Sequence, residues 1–138
     1  MFNTQSPSFL RRVLLVDAFA SAATGLLMAF GASLLAPLLG LPPDLLRDAG
    51  IVLLPFAAFV VFIGTRPEVP RRGVWVVIVA NALWVIDSLV LLFSGWVQPT
   101  VYGQLFVAAQ AFVVAVLAEL EFFALRKSAA KLAYSSMH

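Results

Sequence analysis

Four of the seven acidic side chains in these 138 residues, Asp17, Asp87, Glu119 and Glu121, stand inside runs of apolar sequence. A charged residue at the centre of a membrane helix costs about 2.5–3.5 kcal/mol on the insertion scale, so a retained acid calls for a partner or a task. None of the four has a Lys or Arg three or four positions away, which removes an ion pair within its own helix. Partners must come from another helix, from Arg66, Arg71 or Arg72, or from water. The chemistry open to such acids is proton exchange or cation binding. The rest of the inventory is narrow. The chain has no cysteine, and its only histidine is His138. Haem, zinc and copper sites and a Ser–His–Asp arrangement therefore lack their ligands or their base. Gly95 and Gly103 form no phosphate-binding fingerprint. The expectation is a non-enzymatic protein without cofactor, metal site or catalytic residue.

Helical spacing groups the polar residues into three stripes. At 100° per residue, Asp17, Ser21, Thr24 and Met28 fall within about 60° of one another. Asn81, Trp84 and Ser88 form a second stripe. Gln104, Ala108, Ala111, Ala115 and Ala118 share a third face, with Glu119 at its margin. Measured from the nearest basic residues at about 1.5 Å per residue, Asp17 lies about 8 Å deep, Glu119 about 10 Å and Asn81 about 13 Å. The candidate intramembrane cluster is therefore Asp17, Ser21, Thr24, Asn81, Trp84, Gln104 and Glu119. Asp87, Glu121 and Gln110 are secondary members, with Glu121 expected close enough to the edge to snorkel.

The elements that must position these residues follow from composition. The chain is 62% hydrophobic and 12% charged, with a mean hydropathy of +1.01. Soluble domains are about 45–50% apolar and about 25% charged. A helix needs about 20 apolar residues to cross a membrane core. Four stretches qualify: about 10–36, ending at Pro37; 44–65, with a kink expected at Pro55; 73–94; and 99–126, opening on Pro99. A short tail follows over 127–138. The first stretch has Ala18-Phe19-Ala20 where a signal peptide has its cleavage tripeptide, but the apolar run continues well past it, as in a membrane helix. The fold class expected is all-α: a single domain and an integral membrane, antiparallel four-transmembrane-helix bundle with short loops.

Eight of the nine Lys and Arg residues flank one side of these spans, leaving only Arg47 opposite. The positive-inside rule then puts both termini in the cytoplasm. The basic pI of about 9.5 reflects collars facing anionic lipid, not a nucleic-acid surface. Gly25 and Gly31 read as packing positions. Expected partners are the lipid bilayer and either further copies of the chain or a larger membrane complex.

Several segments carry a resemblance: Arg11-Arg12-Val13-Leu14-Leu15-Val16-Asp17, Asn81-Ala82-Leu83-Trp84-Val85, Leu91 to Trp96 with Pro99-Thr100, and Ala118-Glu119-Leu120-Glu121. Together they resemble a family of small bacterial four-helix inner-membrane proteins of uncharacterised function. That resemblance implies a multi-pass protein of the bacterial cytoplasmic membrane and no activity. Small multidrug transporters share the size and the helix count, and Asp17 invites comparison with their acidic first helix, without a matching motif around it. The leading functional expectation is a structural or accessory bundle that associates through its helix faces. The alternative is a small proton- or cation-coupled transporter using Asp17 and Glu119, and the third is a lipid- or apolar-ligand-binding bundle.

Overall fold

The computed structural model describes the backbone of residues 5–137 and the side chains of residues 8–127. It is all-helical over that range: α1 (Gln5–Phe30), α2 (Ala32–Leu39), α3 (Pro43–Gly64), α4 (Arg71–Phe93) and α5 (Val101–Met137). Four helical segments are long and apolar enough to cross a membrane: Ser8–Phe30, Pro43–Gly64, Arg71–Phe93 and Val101–Lys127.

The first expected span is two helices, not one. Gly31 interrupts it with φ −101° and ψ 11°, although its N–H still reaches Leu27 C=O at 2.8 Å. Pro37 then lies inside α2 instead of ending it, forfeiting only the bond to the carbonyl four residues back. The actual stop is Gly40, whose φ of 69° needs a residue without Cβ and whose N–H closes on Ala36 C=O. Pro42 and Pro43 start α3 where a missing N–H costs nothing, and Asp44 sits at the positive end of that helix. α3 runs unbroken through Pro55. α4 opens two residues earlier than expected. α5 opens at Val101, because Thr100 Oγ1 accepts the Gly103 N–H at 3.2 Å and serves as its cap. The stretch expected as a tail from residue 127 continues α5 as helix to Met137.

Contacts between helices show that neighbours run antiparallel. Arg11 near the start of α1 reaches the end of α3, where Nη1 donates to Gly64 C=O at 2.8 Å and to Arg66 C=O at 2.7 Å. A guanidinium at a helix C-terminus satisfies carbonyls that the helix itself leaves open. At the other end of the bundle, Thr100 N–H and Oγ1 bond Leu39 and Leu38 C=O at 2.9 and 2.7 Å, tying the start of α5 to the end of α2. α1 and α3 meet backbone to backbone. A Cβ built on Gly50 would lie 2.5 Å from Ala29 N and 2.7 Å from Gly25 O, so only glycine permits this approach.

Two apolar clusters fill the interior. One, at the end bearing the basic residues, gathers Leu10, Leu14, Val60, Ile63, Val74, Val77 and Leu125. The other, toward the opposite end, gathers Met28, Leu39, Leu41, Leu46, Leu53 and Val107. The outer faces stay apolar as well; Phe30 and Phe93 are 80% and 83% exposed. A surface of that kind suits lipid and not water.

Candidate functional site

Between the two apolar clusters lies a polar layer, built by one stripe from each of α1, α4 and α5. Asn81 stands at its centre. Its side-chain amide donates to Asp17 Oδ2 at 2.7 Å and to Glu121 Oε1 at 3.0 Å, joining three helices through one nitrogen. Chemistry settles the orientation of that amide, because a carbonyl oxygen turned toward two carboxylates would meet acceptors only. Ser21 Oγ, one turn along α1, donates to Asp17 Oδ1 at 3.2 Å. Asp17, Asn81 and Glu121 are 1%, 4% and 0% exposed.

Among the described residues, no cation bonds this group to balance it. The only salt bridge among the described residues is Arg47–Asp44, at the far end. Of the guanidiniums at that end, Arg11 lies on the carbonyls ending α3, Arg66 over the Phe62 ring and Arg126 over the Phe122 ring, and Arg12, Arg71 and Arg72 are exposed. Glu121 Oε2 is buried without a hydrogen-bond partner. A buried polar atom left in that state costs about 1–3 kcal/mol, more if charged, so it is unusual enough to need a reason.

A second network lies further along α4 and α5, and every polar group in it is satisfied. Trp84 Nε1–H donates to Gln110 Oε1. Gln110 Nε2 donates to Ser88 Oγ at 3.0 Å and to Val107 C=O at 2.8 Å, and Ser88 Oγ donates to Trp84 C=O at 2.8 Å.

Two cavities flank this second network. The larger, about 290 Å³, has Asp17, Ser21 and Thr24 on one side and Trp84, Phe106, Gln110 and Leu117 among its other walls. Ala109 and Val113 of α5, both exposed, also line it and mark its opening on the surface. The smaller, about 220 Å³, takes Leu45, Leu46 and Ala49 from α3 and Asp87, Ser88 and Leu91 from α4, and the exposed Leu45 and Asp87 mark its opening. Trp84, Phe106 and Gln110 belong to both walls and form the partition.

The structure thus brings together Asp17, Ser21, Asn81 and Glu121 in one layer, with Thr24, Trp84 and Gln110 along the larger cavity. It does not bring in the expected Glu119 and Gln104, which are exposed on the outer face of α5. Glu121, expected at the edge, is the wholly buried acid. The two glutamates are two residues apart, so about 200° separates them around the helix and only one can face inward. The readable signal was the stripe Gly103, Val107, Ala111, Leu117, Glu121 and Leu125, every member of which is buried. Asp87 is exposed and joins no hydrogen bond to the central layer. Ser88 and Phe106 are site residues that the expected cluster omitted.

Fold and site together define an all-helical chain with four membrane-length apolar helices and an internal carboxyl–amide–carboxyl layer. No family model, curated protein or solved structure matches it.

Proposed function

We propose that this is a small, non-enzymatic, proton- or cation-coupled membrane transporter whose working groups are Asp17 and Glu121, with Asn81 as the residue that positions them. The observation that carries the reading is the shared amide: two carboxyl groups on different helices, both buried, accept from the one Asn81 nitrogen, with no cation beside them among the described residues. Oxygens that accept from one nitrogen at 2.7 and 3.0 Å stand less than about 6 Å apart, so two unit negative charges there repel by at least roughly 3 kcal/mol at an effective dielectric of about 20. A single proton shared by the pair removes that repulsion and gives the unpartnered Glu121 oxygen something to do. Intramembrane acids of this kind mark proton and ion paths. The same reading sets both termini in the cytoplasm of a bacterium, with the carboxyl layer in the cytoplasmic half of its inner membrane, since the basic residues collect at that end.

A second reading keeps the same hydrogen bonds as a latch that sets helix register in a structural or accessory subunit. It is favoured by the outer face of α5, where Gln104, Ala108 and Glu119 are exposed along one stripe at membrane depth. Polar and small residues there suit contact with another copy or another membrane protein.

One titration separates the two. The chain in lipid nanodiscs is followed by the infrared absorption of its carboxyl groups from acidic to alkaline buffer, as wild type, Asp17→Asn and Glu121→Gln. The transporter reading expects one buried carboxyl that gains and loses its proton, and whose band is lost or moved by either substitution in a folded chain. A pair whose protonation never changes overturns it. A stoichiometric second chain in the native mass of the same sample then establishes the accessory reading.

A further inference from the structure

The larger cavity has a chemical character that the carboxyl layer alone does not specify. Asp17 lines it together with Ser21, whose hydroxyl donates to the Asp17 carboxyl at 3.2 Å, and with Thr24 further along the same face of α1. Its remaining walls are dominated by Leu53, Phe106, Val114 and Leu117, with the Trp84–Gln110 pair as the one polar interruption. Its exposed lining residues, Ala109 and Val113, lie within the membrane-length part of α5. A ligand entering past this face of α5 arrives from the apolar phase and not from water.

Size narrows the occupant further. A cavity of about 150 Å³ lined by apolar side chains takes up a benzene. One of about 290 Å³ accommodates a benzene-sized body together with a compact head group. A small inorganic ion fits poorly, because Ca²⁺ or Mg²⁺ requires about six oxygen ligands or several retained waters, and these walls are mostly carbon. A purely apolar occupant leaves the carboxyl facing hydrocarbon with no added partner. A cation with an apolar body satisfies both ends, and aromatic walls attract such cations further.

We propose that this cavity binds a lipophilic monocation, an ammonium bearing a small aromatic or aliphatic body, with its head at Asp17 and its body along Trp84, Phe106 and Leu117. The inference rests on the proton-exchange reading in one respect: the bound cation takes the place of the proton shared by Asp17 and Glu121. One positive charge enters as one proton leaves, so the charge of the layer is unchanged. Glu121 does not line the cavity and keeps its bond to Asn81 throughout.

The test uses the full chain in nanodiscs with benzyltrimethylammonium and with neopentylbenzene, its uncharged carbon isostere. Binding is read by calorimetry and by the fluorescence of the tryptophans. The expected result is saturable binding of the ammonium, at least about tenfold tighter than that of the isostere, with a proton released for each cation bound. Asp17→Asn removes the preference for the ammonium. Ala20→Phe, which fills the cavity and leaves all three groups of the carboxyl layer in place, blocks both ligands, and circular dichroism checks that each variant is folded. Equal binding of the two compounds, unchanged by Asp17→Asn, overturns the inference in favour of a lipid or apolar-ligand pocket. Binding of neither also overturns it. The infrared titration keeps the two proposals apart. A carboxyl pair that titrates without binding the ammonium refutes the ligand alone, whereas ammonium binding without proton release refutes the exchange.

Discussion

The two seams of this bundle are built on opposite principles. Along α1 and α3, Gly25, Ala29 and Gly50 let the backbones touch, and the one side-chain hydrogen bond between the two helices among the described residues, Arg11 to Gly64 C=O, lies at the other end. Along α4 and α5, polar contact runs through Asn81, Trp84, Ser88 and Gln110, and two cavities flank it. In lipid, helices gain little from burying carbon against carbon, so close backbone packing supplies adhesion directly. Interhelical hydrogen bonds contribute about 0.6 kcal/mol on average, too little to serve as the main adhesive. The difference assigns stability to the glycine seam and chemistry to the polar one.

The largest effect comes from breaking the glycine seam. Gly50→Val forces a branched side chain into the backbone of Ala29 and separates α1 from α3, with a loss above about 4 kcal/mol. Denaturant unfolding in mixed micelles should find little folded protein. A variant of near wild-type stability would show that the seam is not where adhesion resides.

Removing the central amide is the intermediate case. Asn81→Leu leaves Asp17 Oδ2 and Glu121 Oε1 without their donor, and the expected cost is about 1–3 kcal/mol in the same assay. The double-mutant cycle of Asn81→Leu with Glu121→Leu sharpens the comparison. If the layer acts as one unit, the second substitution recovers part of the loss, because the orphaned acid is gone. Strictly additive losses would mean that Asn81 serves each acid independently.

The smallest effect belongs to the partition. Trp84→Phe keeps most of the ring and deletes only the Nε1–H bond to Gln110, so stability should fall by about 0.6 kcal/mol. The change should be visible chiefly as easier exchange of a bound probe between the two cavities. A loss of several kcal/mol would place Trp84 among the structural residues and remove the functional meaning of the partition.

Much of the architecture was legible from local properties. Each apolar run is long enough to satisfy its own backbone as a helix, and Pro42 and Pro43 mark the start of α3 by chemistry confined to a single turn. Gly31 shows the limit of that reasoning. Nothing in its neighbours separates a packing glycine from a break. The division into α1 and α2 follows from Leu39 having to reach Thr100 and lie against Gly103. Arg11 was readable as a basic collar; its service to the carbonyls at the end of α3 was not, since the two are more than fifty residues apart.

The site divides in the same way. Asp17 and Asn81 were accessible because an isolated polar residue in an apolar helix has few places to go but inward. The choice between Glu119 and Glu121 went astray, because Gln104 and Ala108 imitate a contact face that the bundle leaves on the outside, in competition with the stripe through Glu121. What the sequence by itself determined is the presence of four apolar runs of membrane-spanning length and of acids within them, both of which depend on interactions along one chain segment. Tertiary structure decided which acid turns inward and what it meets. Rotating a helix by two residues costs its own backbone nothing, so only packing against α1 and α4 selects its phase.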